Sequence, residues 1–197
     1  MWRRRSQGLI PLDKRSAQTV PSQDSYVLVV DACVLINFLK AGQTAVLTEA
    51  KRFRIVITRS VFDEITDPAQ QAGLAILADS SALEVTDPES VEAVGIYISL
   101  LDSGLGRGEA SSLAFAAIRK CVLACDEKTG CFRRAVDRLR LANSVVTTRD
   151  LINLAVHENR FDLKTANLMI EALRTHHRFS CDELTANEDL PPALKVM

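Results

Sequence analysis

A run of β-forming residues at 26–30, YVLVV, ends on Asp31 and passes directly into ACVLINFLK, where Val34, Leu35, Phe38 and Leu39 recur at helical spacing. The run lacks the polar alternation of a strand with one wet face, so it reads as a strand covered on both sides, as in a parallel sheet. A parallel strand must be followed by a crossover, and here the crossover is a helix with a carboxylate at its corner. In an open α/β sheet that corner is the carboxyl end of a strand, where sites form.

The rest of the chain repeats the alternation. Residues 44–53 read as a helix and 53–58 as a short strand. A helix over 59–65 follows, with Thr58 or Ser60 as its cap and Val61, Phe62 and Ile65 as its apolar stripe. Residues 68–79 form a helix with proline in the first turn, and 83–86 a short edge strand. A helix over 88–101 leads to the glycine-rich SGLGRG at 103–108 and then to an alanine-rich helix that packs closely on a sheet. Residues 121–125 are a buried strand ended by Asp126, 129–141 a basic helix, 144–148 a strand, 149–157 a helix and 163–173 the last strong helix. Strands alternating with helices specify an α/β fold, a central parallel sheet flanked by helices.

At 197 residues the chain suits one domain, expected over 25–180. Residues 1–24 carry Arg3, Arg4, Arg5, Lys14 and Arg15 with no sustained apolar period, and read as a basic, flexible tail; 181–197 reads as a C-terminal tail. A hydrophobic content of 47% with net charge −1 excludes neither an enzyme nor a binding module. Asp31 and Asn37 interrupt the longest apolar run, so no membrane span is expected, and charge after LIPL argues against a secretory signal. Five cysteines, Cys33, Cys121, Cys125, Cys131 and Cys181, include no C-x-x-C pair; they fit a reducing, cytoplasmic setting and core filling better than disulfides or zinc.

Four acids stand out by position. Asp31 and Asp126 each end a buried strand, Glu64 follows one, and Glu109 opens a helix after the glycine-rich turn. Parallel strands share a direction, so these residues converge on one sheet edge. Like charges about 4 Å apart repel by about 4 kcal/mol at an effective dielectric of about 20, and a divalent cation removes that repulsion. Oxygen ligands without suitably spaced His or Cys favour Mg²⁺ or Mn²⁺, ions suited to phosphodiester hydrolysis. Each acid also has a plainer reading: Asp31 and Asp126 as helix caps, Glu109 as a complement to a helix dipole, Glu64 as a solvated surface group.

Taken together, VVDACVLIN at 29–37, VFDEI at 61–65, GRGEASSLA at 106–114, LACDEK at 123–128 and VVTT at 145–148 resemble the PIN domain, and within it the VapC-type toxins and related bacterial PIN proteins. The resemblance spans roughly residues 26–180 and rests on the order of the motifs. It implies a PIN-like sandwich and a metal-dependent endoribonuclease acting on single-stranded RNA, the toxin of a toxin–antitoxin pair. It further implies an antitoxin partner and pairing into homodimers. The family's acidic quartet falls on Asp31, Glu64, Glu109 and Asp126; Asp31 and Asp126 are implied as direct metal ligands, with Glu109 as ligand or orienter. Glu127 stands where a second Asp is common, and Thr148 where a hydroxyl or acid supports the site. Arg107, Lys128, Arg133 and Arg134 are candidate phosphate contacts, set against solvated surface charge. The implied products carry a 5′-phosphate and a 3′-hydroxyl.

Two departures bear on the substrate contacts. Cys131 stands where relatives have an Arg, and the stretch from Asp126 to Thr148 is longer by about one helical turn. A non-catalytic PIN-like module binding RNA or protein is the first alternative, although a pure binder gains nothing from a repulsive acidic pocket. A nucleotide-binding α/β protein ranks lower, because GLGRG at 104–108 reproduces neither a phosphate-binding loop nor the dinucleotide fingerprint. His157, His176 and His177 read as polar surface or helix-end groups, and Asn37 either as a polar contact near the site or as a satisfied polar residue.

Overall fold

The computed structural model describes residues 26–177, 179–186 and 188–195. The basic tail expected at 1–24 lies outside them, as do the side chains of His176 and His177. In chain order the elements are β1 (Tyr26–Val30), α1 (Ala32–Lys40), α2 (Ala45–Thr48), β2 (Phe53–Thr58), α3 (Arg59–Glu64), α4 (Pro68–Asp79), β3 (Glu84–Thr86) and α5 (Val91–Asp102). They continue with α6 (Arg107–Arg119), β4 (Val122–Ala124), α7 (Gly130–Arg138), β5 (Val145–Val146), α8 (Thr148–His157), α9 (Leu163–His177) and α10 (Pro192–Lys195).

The strands lie in the order β3-β2-β1-β4-β5, and every neighbouring pair is parallel. Each face of the sheet is covered, as the unbroken apolar strands require. Leu28, Val30, Ile55, Ile57, Val122 and Ala124 face one core, filled by α1, α4, α8 and α9 through Leu35, Phe38, Leu74, Ile152 and Ile170. The alternate residues Val29, Val56 and Leu123 face a second core with Leu100, Leu113 and Phe132 from α5, α6 and α7. The period-two alternation within each strand therefore separates two apolar cores rather than an apolar face from a wet one.

Where element ends differ from expectation, pairing and caps explain the difference. The helix expected over 44–53 stops at Thr48, because Phe53 must enter β2 opposite Tyr26 and the chain turns at 49–52 to reach it. The strand expected over 144–148 ends at Val146, because the Thr147 side chain accepts the Asp150 N–H and opens α8. Thr58 rather than Ser60 caps α3, accepting the N–H of Val61. The segment after α9 folds back onto the first core, where Leu184, Ala193 and Leu194 are buried. It is pinned there by the Arg149 guanidinium, which donates to the carbonyls of Asp182 and Glu183, both at 2.8 Å, and pairs with Glu188. Among the described residues no helix is long and apolar enough to cross a membrane.

Candidate active site

The parallel order sets the carboxyl ends of β2, β1, β4 and β5 side by side, and each ends on a polar residue: Thr58, Asp31, Asp126 and Thr148 follow or close these strands. Register fixes who is adjacent. Val30 pairs with Ala124, the Asp31 N–H donates to the Ala124 carbonyl at 2.9 Å, and Cys125 is thereby brought beside Asp31.

Asp31 occupies the N-cap position of α1, yet its side chain makes no capping hydrogen bond. Its Oδ2 instead accepts from the thiols of Cys33 at 3.1 Å and Cys125 at 3.6 Å. The residue is 3% exposed, and Oδ1 has no hydrogen-bond partner. Burial raises its pKa above the ordinary carboxylate value, against the lowering effect of the two thiols and of the Ala32 and Cys33 backbone N–H groups. A desolvated carboxylate with an orphaned oxygen is a poor cap and a good cation ligand.

Asp126 is held differently. Oδ1 accepts the Thr148 N–H at 2.8 Å, and Oδ2 accepts the Thr148 hydroxyl at 2.5 Å and the Asn37 amide at 3.0 Å. Nor does it cap the following helix, a role taken by Thr129. Burial raises its pKa too, opposed by the donors from Thr148 and Asn37. Three donors from two helices fix its orientation, and Asn37, which also donates to the Thr148 hydroxyl at 3.2 Å, belongs to this network.

Glu109 sits in the first turn of α6 and its Oε2 accepts the Gly106 N–H at 3.1 Å, so the local reading as a helix-start residue is part of its role. Its pKa is raised, first by burial and then by the negative charges of Asp31, Glu127 and Glu64. Glu64, the last residue of α3, accepts the Gly108 N–H at 2.7 Å. A Cβ at 108 would lie 2.8 Å from the Glu64 Cδ, so any other residue there would displace the Glu64 carboxylate from this N–H. The small residues of GRGEASS are explained by this approach and by Ser111, whose hydroxyl shares a 2.6 Å hydrogen bond with Thr58 and locks α6 to β2. Glu127 turns back on its own loop, accepting the N–H groups of Lys128 and Thr129 at 2.7 and 2.6 Å.

A cleft of about 540 Å³ opens beside Asp126, lined by Asn37, Lys40, Glu127, Lys128, Arg149 and Phe179 among others. Of the four cations singled out from sequence, Lys128 is on this wall; Arg134 lines a separate hollow with Cys131 and Arg138, while Arg107 and Arg133 are exposed on α6 and α7. Lys40 carries no motif of its own and reaches the cleft only because α1 packs along it. Among the described residues, the set of three metal-capable side chains whose ligand atoms lie within 4.8 Å of one another is Asp31, Cys33 and Cys125. The cysteines do fill core space, as read from sequence, with Cys121 and Cys125 buried in the second core and Cys33 packed against both; what that reading missed is the closeness of Cys33 and Cys125 to Asp31. The signal available was their position, two residues after Asp31 and one before Asp126.

Replacing Thr148 by Val keeps the side-chain shape and removes one of the three donors that orient Asp126. The expected result is about tenfold weaker Mn²⁺ binding by calorimetric titration, with a stability loss of about 1 kcal/mol in urea unfolding. Unaltered Mn²⁺ affinity would mean that the network does not support a metal ligand.

A family model for a domain of unknown function, described as a PIN domain, matches residues 27–190. No curated protein matches the chain.

Proposed function

Because the chain belongs to the PIN-domain family, a nuclease-type fold, we propose that it is a metal-dependent endoribonuclease that hydrolyses single-stranded RNA. The observation that carries the reading is the buried Asp31 carboxylate, with one oxygen unpartnered, at the end of β1, with Asp126 just after β4, Glu64 closing α3 and Glu109 in the first turn of α6. An uncompensated acid buried at the centre of a sheet costs stability, and a bound cation is the natural compensation.

Carboxylate oxygens suit Mg²⁺ or Mn²⁺, and Asp31, Asp126 and Glu109 are the residues that would hold the ion by closing on it, since in the structure their oxygens do not all lie within 4.8 Å of one another. When bound, such an ion lowers the pKa of a coordinated water and neutralises charge on the phosphate. The chain's own residues supply the rest. Thr148 and Asn37 hold the Asp126 carboxylate in one orientation, and Glu64, anchored on the Gly108 N–H, keeps a second carboxylate facing the same region. Burial and the neighbouring acids raise the Glu109 pKa, so a bound cation would favour its ionised form. Lys128 and Lys40 on the cleft wall are placed to bind phosphate, and Phe179 offers a face for a base.

The test uses end-labelled single-stranded RNA with the purified chain in Mg²⁺, Mn²⁺ or chelator. Internal cleavage that depends on the ion, with 5′-phosphate and 3′-hydroxyl products, is the expected result; cleavage that persists in chelator overturns the reading. Its finer form is the VapC-type toxin. Expression should then arrest growth, and a small neighbouring protein should relieve the arrest; growth unaffected by an active enzyme removes the toxin role and leaves the nuclease.

A further inference from the structure

The two cysteines that flank acids in the sequence converge on one of them. Cys33 Sγ and Cys125 Sγ lie 3.1 and 3.6 Å from Asp31 Oδ2, and the two sulfurs are 3.9 Å apart. A tetrahedral ion with bonds of about 2.3 Å to sulfur and about 2.0 Å to oxygen spans about 3.8 Å between two sulfurs and about 3.5 Å between sulfur and oxygen. The observed triangle is thus close to one face of such a tetrahedron without any backbone movement. A second observation concerns the same carboxylate: Asp31 is 3% exposed, and while Oδ2 accepts the two thiols, Oδ1 has no hydrogen-bond partner, so the buried group is left under-compensated.

We propose that Asp31, Cys33 and Cys125 form a site for a thiophilic divalent cation of the Zn²⁺ type, and that its occupation withdraws Asp31 from the oxygen-ligated ion. Ligand softness separates the two sites. Thiolates favour Zn²⁺, whereas Mg²⁺ and Mn²⁺ favour the carboxylates of Glu109 and Asp126, and Asp31 alone is shared. Cys33 lies on the wall of the open cleft, which gives the ion a path in and leaves a fourth position for water. Binding sends the two thiol protons to solvent, so the ion meets two thiolates and one carboxylate. Of the remaining cysteines, Cys121 precedes the opposite end of β4 and Cys131 is on α7, while Cys181, after α9, lines the same cleft as Cys33 without joining the group of close ligand atoms.

The binding half of the proposal stands on geometry alone; the inhibition half rests on the nuclease reading. Co²⁺ serves as the probe, titrated into the reduced, metal-stripped full chain. One equivalent should produce a thiolate-to-cobalt charge-transfer band and intense tetrahedral ligand-field bands, and Zn²⁺ should displace both. The band should be lost in the Cys33→Ser/Cys125→Ser double variant and kept in Cys131→Ser. Its absence from the folded wild-type protein overturns the site whatever the variants do. With Mn²⁺-activated RNA cleavage as readout, one equivalent of Zn²⁺ should lower the wild-type rate about tenfold or more, and the double variant should keep its own rate. Binding of Zn²⁺ without such inhibition overturns the shared-Asp31 competition. Absence of any Mn²⁺-activated cleavage overturns the nuclease reading and leaves the cobalt spectrum to decide the site.

Discussion

Asp31→Asn should lower Mn²⁺-dependent cleavage of single-stranded RNA by about 10²–10³-fold while leaving the protein folded, equivalent to about 2.7–4 kcal/mol of lost transition-state stabilisation. Asn has nearly the same shape, so packing at the end of β1 is preserved, and what is lost is the charge. That charge is the least solvated of the acids at the sheet edge, with one oxygen held by two thiols and the other by nothing. Its removal should therefore not destabilise the metal-free protein, since the wild type bears the cost of a desolvated carboxylate there. Cleavage assays at saturating RNA, with thermal unfolding of both proteins in chelator, check the two halves together. Equal cleavage by wild type and variant would remove Asp31 from the site and with it the proposed function.

Mn²⁺ should raise the melting temperature of the wild-type chain by about 5–11 °C at a concentration about a hundredfold above its dissociation constant, corresponding to about 2.7 kcal/mol. The effect should depend on pH with a definite sign. Asp31, Asp126 and Glu109 all have folded-state pKa values raised above 3.8, 3.8 and 4.5, in each case chiefly by burial. Between those unfolded values and the higher folded ones the folded chain holds more protons than the unfolded chain. The metal-free protein must therefore lose stability as pH rises through that window. Mn²⁺ binds the ionised carboxylates, so its stabilising effect grows over the same window. Thermal scans at several pH values, with and without Mn²⁺, test this, and Asp31→Asn should lose most of the shift. A flat response to Mn²⁺ with RNA binding intact would instead identify a non-catalytic binding module.

Much of the fold was legible because the signals are local. The strand at 53–58 and the helix at 68–79 occur with the expected ends, since an apolar run or a proline-led first turn with an Asp67 cap is written in adjacent residues. The helix at 44–53 was not legible, because its true end is dictated by pairing of Phe53 with a strand more than twenty residues earlier. The acids were singled out by the same logic, each standing near one end of an element that hydrophobic pattern defines. Their roles were not, because capping and ligation use the same residue types at the same positions. The structure bears on capping alone: Thr129 caps the helix after Asp126, and the Asp31 side chain makes no capping hydrogen bond to α1.

By itself the sequence determined the alternation of strand, acid and helix, since burial on two faces and helix capping depend on neighbours along the chain. Only the tertiary structure decided which distant residues share an edge. The order β3-β2-β1-β4-β5 and the pairing of Val30 with Ala124 set Cys125 beside Asp31 and Cys33, and lay Asn37 and Thr148 across Asp126. The reason is physical: a parallel sheet joins segments through long crossovers, so strand order and register are settled by packing of the crossover helices and not by any spacing in the chain.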